Sequence, residues 1–172
     1  PRDINSDKKL CESHGVDLIF APNPEEMYQD KKAFVNIADL SDTLCGIRRP
    51  IHFKGVCTVV AKFFNIIQPT NAYFGEKDAQ QLAIIRKMVF DLNFPVNIIG
   101  VPIVREKDGL AKSSRNTYLS SEERKAATIL YKAIQVGKQT IKYGCPASCI
   151  IDTMTDIIQS EPLAKIDYIS VV

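Results

Sequence analysis

Two stretches of the chain hold residue types that could bind phosphate. In the first, "YFGEKDAQQ" (73–81), a short predicted strand runs into Gly75 and a helix begins near Lys77. A phosphate group at such a junction meets free backbone N–H groups and the positive helix end, and Gly75 lets the backbone approach closely. Lys77 adds a positive charge suited to a developing phosphate or carboxyl oxyanion, and Asp78 could hold a ribose hydroxyl. Gln81 shares the helix face of Lys77 and could hydrogen-bond a second substrate.

The second stretch is the polar loop "GLAKSSRNTYLS" (109–120). Ser113, Ser114 and Arg115 bring together two hydroxyls, a guanidinium fork and nearby backbone donors, a set that could wrap a polyphosphate. Gly109 would let the loop hinge over a ligand. Taken alone, the first stretch slightly favours a solvated helix start, and the second equally suits a polar connector ahead of a capped helix.

A basic segment, "IRRPIHFKGV" (47–56), contains Arg48, Arg49, His52 and Lys54. It could form a patch for anions or nucleic acid, and an ordinary loop leading into a helix is an equal alternative. No aromatic residues are interleaved with these basic residues in the way that single-strand binding favours.

Composition limits the function classes. The chain has 172 residues, of which 45% are hydrophobic and 24% charged, and its net charge is +2. These values are typical of a globular protein and give no global attraction to nucleic acid or to an anionic membrane. No apolar run has membrane-spanning length. The five cysteines form no CxxC pair and there are only two histidines, which argues against zinc and indicates reduced thiols in the cytoplasm.

Apolar periodicity and turn residues predict the elements that position these stretches. Helices are predicted over 4–15, 52–69, 77–93, 120–144 and 146–162, with shorter helical segments at 23–28 and 41–46. Strands are predicted over 16–22, 33–38, 71–75, 95–104 and 165–172, and the segment 52–69 also suits a strand. Ser120 followed by Glu123 predicts a capping box, and Gly144 a helix C-cap. The alternation of strands and helices up to residue 104 favours a parallel α/β sheet.

The ends of the chain suggest a piece of a longer protein. The sequence opens on "PRDINSDKKL" without an initiator Met and closes on the apolar run "KIDYISVV". Because native termini are usually polar and frayed, we expect further residues in the natural protein.

Several segments, in this order and spacing, resemble the pantoate–β-alanine ligases (pantothenate synthetases). They are "GVDLIFAPNPEEMY", "RRPIHFKGVCTVVAKFFNIIQP", "YFGEKDAQQLAIIRKMVFDLN", "GVPIVREKDGLAKSSRNTYLS" and "IDYISVV". The combination of "FGEKDAQQ" with "SSRN" some thirty residues later is highly specific to that family, and the resemblance runs along nearly the whole chain.

The resemblance implies an α/β fold: an incomplete Rossmann-like nucleotidyltransferase parallel sheet in residues 1–103, followed by a small α+β lobe in residues 104–172. It implies an enzyme that uses ATP and Mg²⁺ to convert pantoate into pantoyl adenylate, which β-alanine then attacks to give pantothenate and AMP. A cytoplasmic homodimer is implied, with no nucleic-acid or membrane partner.

The resemblance also assigns site residues. Lys77 is the expected catalytic residue, stabilising charge on the reacting groups, and Gln81 is expected to bind pantoate. No protein ligand to a metal is expected. The expected ATP contacts are Gly75, Glu76, Lys77, Asp78, Val104, Lys112, Ser113, Ser114 and Arg115.

The chain departs from the family pattern at several points. It lacks the HxGH motif and an upstream glutamine that helps to hold pantoate, and His52 is no substitute for that motif. Ile51, Cys45 and Lys112 stand where the family commonly has Gly, Glu and Met. We therefore expect weak or no catalysis from this chain alone.

Two alternatives remain open on sequence grounds. The first is another adenylating enzyme of the nucleotidyltransferase superfamily that ignores pantoate, against which Gln81 argues. The second is a non-catalytic module that binds RNA through Arg48, Arg49 and Lys54, against which the near-neutral net charge argues.

Overall fold

The computed structural model describes residues 3–172, and the chain divides into two compact units, Pro1–Ala33 and Phe34–Val172. No helix within residues 3–172 is both long and apolar enough to cross a bilayer. The domain boundary expected between residues 103 and 104 stays a prediction.

The first unit contains two helices, as predicted. Helix α1 (Ile4–Ser13) begins where the Asp3 carboxylate accepts a hydrogen bond from Ser6 N at 3.1 Å, and it ends before Gly15, whose φ is +72°. Helix α2 (Pro24–Met27) has proline at its first position, where the missing N–H is tolerated. The start and end of α1 and the start of α2 therefore follow from capping residues in the local sequence.

The second unit contains a parallel two-stranded sheet with a helix between the strands. Strand β1 (Asn71–Gly75) pairs with β2 (Asn97–Val101) in a register running from Asn71↔Asn97 to Gly75↔Val101. Helix α5 (Ala79–Asp91) connects the two strands. This β–α–β arrangement confirms the predicted parallel α/β fold.

Helices α3 (Cys45–Arg48) and α4 (His52–Ile67) precede β1. The apolar stripe of α4 packs on α5, and α4 ends at Gln68, in the left-handed region (φ +50°), before Pro69. The helical interpretation of 52–69 is thus confirmed over its strand alternative. The core of this unit consists of Ile37, Phe53, Cys57, Ala61, Phe64, Ile84, Ile85, Met88 and Val96.

Three predicted strands, at 16–22, 33–38 and 165–172, are wrong: none of these segments is a strand. Apolar content predicted them, but a strand also needs a partner for its backbone groups. The N–H of Val35 donates instead to Thr58 Oγ1 of α4 at 3.0 Å. Leu18 is 82% exposed, so the first of these segments is not the buried strand that its apolar residues predict.

Helices α6 (Ser121–Ala126), α7 (Ile129–Lys142) and α8 (Ala147–Gln159) complete the second unit. The predicted capping box is confirmed, since Ser120 Oγ accepts from Glu123 N and the Glu123 carboxylate accepts from Ser120 N. The single helix predicted over 120–144 is interrupted at Thr128. The hydroxyl of Thr128 donates to Lys125 O at 2.8 Å and its N–H bonds the same carbonyl, so the regular i→i−4 ladder breaks there.

Candidate active site

A pocket of about 250 Å³ lies at the connection between β1 and α5. Three predicted site residues, Lys77, Asp78 and Gln81, line it together. Its remaining walls come from α3, from the start of α4 and from the last residues of the chain. The complete lining is Leu44, Cys45, Arg49, His52, Phe53, Lys77, Asp78, Ala79, Gln80, Gln81 and Tyr168.

Lys77 lies in the short link between a strand and a helix. Strand β1 ends at Gly75, a single 3₁₀ turn covers Glu76–Asp78, and α5 follows without a loop. The Lys77 ammonium lies 3.5 Å from Asp78 Oδ1, a long ion pair, and its side chain is 37% exposed. The charge of Lys77 is therefore held at the pocket by the backbone while remaining available to an anion.

Gly75 is not required by the fold itself. Its φ is −70°, an ordinary value for any residue, and a Cβ added there would have no atom within 4 Å. The open space in front of Gly75 leaves room for a ligand to approach the backbone. Glu76, in contrast, directs its carboxylate over β2, where Oε1 would lie 3.1 Å from a Cβ at Gly100, and it does not line the pocket.

The adjacent glutamines of α5 have different roles. Gln80 uses its amide to hold the segment before α3: Nε2 donates to Leu40 O at 2.9 Å and Thr43 O at 2.8 Å, and Oε1 accepts from Cys45 N at 3.1 Å. The amide of Gln81 has no hydrogen-bond partner within residues 3–172 and faces the pocket. Gln81 is consequently the glutamine that a substrate can use.

The loop predicted to bind phosphate grows out of a tight hairpin. Val104 O accepts from Lys112 N at 2.9 Å, and an isolated antiparallel bridge joins Arg105 to Ala111. The backbone of Val104 and the first residue of the loop are thus fixed to each other, which places two of the predicted ATP contacts side by side.

Beyond the hairpin, the loop continues as a 3₁₀ turn over Ser114–Tyr118. Ser113 Oγ caps this turn by accepting from Arg115 N at 3.2 Å. The side chains of Lys112, Ser114 and Arg115 make no hydrogen bond or ion pair within the described part of the chain. Their donors are free for an anion, although none of them lines the pocket that contains Lys77.

The base of the loop is packed tightly against α7. Gly109 is buried at φ +92°, and a Cβ there would overlap the ring of Tyr131. Arg105 lies 4.4 Å from the centre of that ring and donates to Gly109 O at 3.0 Å. Gly109 thus allows close packing onto α7, and the hinge predicted there stays a prediction.

An ion pair adds a second anchor. Arg124 of α6 donates to Asp108 Oδ2 at 2.8 Å. This hydrogen bond, helped by one from Leu110 N, holds the pKa of the Asp108 carboxyl below its ordinary value. The hairpin is fastened on both α6 and α7, so the free donors of the loop project from a fixed base.

Polar pocket residues outside the resemblance-based site are Cys45, Tyr168 and two members of the basic segment, Arg49 and His52. The Sγ of Cys45 lies 2.8 Å from the Tyr168 hydroxyl, and this hydrogen bond, together with burial, raises the pKa of Tyr168 to about 12. Arg49 follows α3 and His52 begins α4, and the N–H of His52 donates to Arg49 O at 3.0 Å. The spacing of Arg49 and His52 can be read from the sequence, whereas no local sequence pattern identifies Tyr168 as a pocket residue.

The basic residues considered for RNA have different neighbours. Arg48 pairs with Asp167 at 3.2 Å, and Lys54 lies 4.3 Å from the centre of the Phe34 ring. Arg49 alone of the three lines the pocket.

A second cavity and the distribution of possible metal ligands also bear on the site. A larger cavity of about 390 Å³ lies among α6, α7 and the segment 163–169, and none of the predicted site residues lines it. Within residues 3–172 no three His, Cys, Asp or Glu side chains come together as a metal site.

The chain matches known proteins along its whole length. The family model described as "Pantoate-beta-alanine ligase" matches residues 1–172. Pantothenate synthetases from Clostridium botulinum (strain Loch Maree / Type A3) and Ruminiclostridium cellulolyticum are each 56% identical over 174 residues. These alignments cover 100% of this chain and 62% of each relative.

Solved structures agree. The pantothenate synthetase of Thermus thermophilus superposes with a TM-score of 0.93 at 46% identity, covering 98% of this chain and 62% of that one. A pantoate-beta-alanine ligase from Francisella tularensis, described as complexed with "Beta-gamma ATP and Beta-alanine", superposes with a TM-score of 0.76 at 29% identity. That likeness covers 91% of this chain and 59% of the neighbour.

Proposed function

Since the chain belongs to the pantoate–β-alanine ligase family, we propose that the protein joins pantoate to β-alanine with ATP as the energy source. The chain spans 62% of the length of its relatives, so the proposed activity is that of the whole protein. The single observation that carries the proposal is the convergence of Lys77 and the unpaired amide of Gln81 on one pocket at a strand–helix junction.

In the first step a pantoate carboxylate oxygen forms a bond to the α-phosphorus of ATP, and the bond to the leaving pyrophosphate breaks. Negative charge builds up on the phosphorus oxygens and on the departing group. Lys77 stabilises that charge from a position that the backbone fixes before reaction, which is where electrostatic stabilisation is most effective. Gln81 orients pantoate through its free amide.

The loop Lys112–Arg115 contributes donors to the triphosphate. Its unpaired ammonium, hydroxyl and guanidinium groups suit the phosphate oxygens, and the guanidinium of Arg115 offers a bidentate fork. Since these residues do not line the pocket that holds Lys77, the bound triphosphate would bridge the two regions. Val104 and Gly75 to Asp78 complete the proposed ATP contacts.

In the second step the free amine of β-alanine forms a bond to the acyl carbon of pantoyl adenylate. The acyl–oxygen bond to AMP breaks, and the amine loses a proton to solvent. An activated acyl group needs little help beyond an amine held close and in line. The pocket is therefore asked mainly to position the two reactants.

Mg²⁺ fits the proposal as a companion of ATP. Mg²⁺ usually binds substrate phosphates with one or two carboxylates, and Asp78 in the pocket is the carboxylate that would meet it. When bound, the ion neutralises charge on phosphate oxygens.

The proposed function is tested by exchange of labelled pyrophosphate into ATP, with and without pantoate. Two proteins are compared: this chain, and a chimera that adds the part of the Clostridium botulinum relative lying outside the match to residues 1–172. Pantoate-dependent exchange by the chimera, with pantothenate formed once β-alanine is added, is expected. A folded chimera that shows no exchange with pantoate but exchanges with a different carboxylic acid would instead support another adenylating enzyme of the same superfamily.

A homodimer and a cytoplasmic location also belong to the proposal. All five cysteines are free thiols, which fits a reducing compartment. Light scattering of the purified protein is expected to give twice the monomer mass, and a monomer at micromolar concentration would contradict the dimer. Fractionation of the source cells tests the location.

A further inference from the structure

Arg49 is a cation in the pocket, where its charge acts on the neighbouring Tyr168 hydroxyl. Its guanidinium makes no hydrogen bond and no ion pair within residues 3–172, whereas the neighbouring Arg48 pairs with Asp167 at 3.2 Å. Arg49 lines the same pocket as Lys77 and Gln81. An arginine fork in a concave site, left unpaired by the fold, is suited to a planar anion.

The surroundings of Arg49 leave positive charge unbalanced. The only carboxylate that lines the pocket is Asp78, and it already faces Lys77 at 3.5 Å. Helix α4 starts at this wall with His52, has no side-chain cap and carries no acidic residue in its first turn. The pocket therefore favours an additional negative group beside Arg49.

The reaction itself limits which anion that group can be. The carboxylate of pantoate is consumed, because it becomes the acyl group of the adenylate and loses its charge. A strong ion pair to it would stabilise the reactant over the transition state and slow the first step. The phosphates already have Lys77 and the loop from Lys112 to Arg115. Of the two substrate carboxylates, only that of β-alanine keeps its charge through both steps.

Accordingly, we propose that Arg49 binds the carboxylate of β-alanine and so selects the amino-acid substrate. This inference rests on the proposed function. A bidentate pair at the carboxylate fixes one end of a short, flexible molecule, which directs the amine at the other end toward the acyl carbon. The apolar side chains of Leu44 and Phe53 also line the pocket. They strengthen the ion pair between Arg49 and the carboxylate because they limit the access of water to it.

The test separates the two half-reactions in the chimera described above. Pyrophosphate exchange needs pantoate and ATP but no β-alanine, so Arg49→Gln is expected to leave exchange within about twofold of wild type. The same variant is expected to raise the KM for β-alanine about 10- to 150-fold, the range for losing hydrogen bonds to a charged group. Arg49→Lys keeps the charge without the fork and is expected to recover part of the loss.

A second readout uses propylamine, which has the amine of β-alanine without its carboxylate. Wild type is expected to prefer β-alanine strongly, and Arg49→Gln is expected to lose most of that preference while reacting with propylamine at the wild-type rate. Lys138→Gln, an exposed change on α7 that also removes one positive charge, is the control and is expected to alter neither reaction.

Each outcome decides the matter. No pantoate-dependent exchange by wild type would overturn the proposed function and this inference with it. Exchange by wild type with an unchanged KM for β-alanine in Arg49→Gln would overturn the inference alone. Loss of exchange in a folded Arg49→Gln variant would assign Arg49 to pantoate or ATP instead.

Discussion

The β1–α5 junction and the loop after the hairpin both present unpaired donors, but they hold them in different ways. At the junction, regular backbone fixes the position: β1 ends at Gly75 and α5 follows within one 3₁₀ turn. In the loop, side chains provide the rigidity, because Arg105 and Asp108 fasten the hairpin to α7 and α6. A functional group can thus be preorganised either by secondary structure or by a packed anchor behind it.

Gly75 at the junction and Gly109 in the hairpin also differ in what surrounds them. A Cβ at Gly75 would meet open space at an ordinary φ, whereas a Cβ at Gly109 would overlap Tyr131 at φ +92°. Gly109 therefore serves the packing of the fold, whereas the proposed role of Gly75 is to leave room for a ligand. Mutations in the two regions should consequently separate into losses of activity and losses of stability.

The largest effect is expected for Lys77→Met at the junction. Removing a preorganised charge that meets the transition state is expected to slow pantoate-dependent pyrophosphate exchange about 100- to 1000-fold. The midpoint of thermal unfolding is expected to stay at the wild-type value, since the only ion pair lost is long and exposed. Lys87→Met is the control, because Lys87 pairs with Asp91 on the same helix; equal loss in both variants would contradict the assignment.

Next comes Gly109→Ala in the hairpin, measured by urea unfolding. Backbone strain together with the overlap at Tyr131 is expected to lower the free energy of unfolding by about 2–5 kcal/mol. Gly75→Ala is its counterpart, expected to unfold like wild type while the KM for ATP rises about ten- to a hundredfold through misplacement of the nucleotide. A stable Gly109→Ala protein would remove the distinction between the two regions.

A smaller contrast is expected between the two glutamines of α5. Gln80→Ala loses three hydrogen bonds to the segment before α3 and is expected to lower the free energy of unfolding by about 1–3 kcal/mol. Gln81→Ala is expected to leave stability unchanged and to raise the KM for pantoate about tenfold. The reverse pattern would mean that the wrong glutamine has been assigned to substrate.

The smallest effect concerns acid and the anchor of the loop. Because Arg124 lowers the pKa of Asp108 in the folded protein, the ionised carboxylate stabilises the fold above the ordinary value of 3.8. That contribution is lost as the pH falls through the lowered value. The difference in unfolding free energy between wild type and Asp108→Asn is therefore expected to shrink from pH 6 to pH 3. A difference that stays constant would show that the ion pair does not anchor the hairpin.

Local chemistry made much of this structure predictable. Pro69 and the apolar spacing of 52–69 gave α4, and "NAYFG" gave β1 at its observed bounds, Asn71–Gly75. The capping box at Ser120 is a feature of four consecutive residues. In each case the determinants lie within one or two helical turns of the residues that they organise.

Features that depend on contacts between residues far apart in the chain could not be predicted from the sequence. The apolar run 16–22 carries no information on whether another strand lies beside it. Nor could the sequence show which of Gln80 and Gln81 is used internally, because the carbonyls that Gln80 binds lie about 40 residues earlier in the chain. The proposed functional residues were identified mainly through the resemblance of two motifs to a known family.

The contact between Cys45 and Tyr168 has a consequence for how the protein is made. The two residues are 123 positions apart, and Tyr168 forms part of the pocket wall. During synthesis α4, β1 and α5 leave the ribosome well before Tyr168 exists, so they can fold around an open pocket. The pocket wall at Tyr168 is therefore added only after α4, β1 and α5 have been synthesised, and nascent chains that stop short of Tyr168 lack that wall.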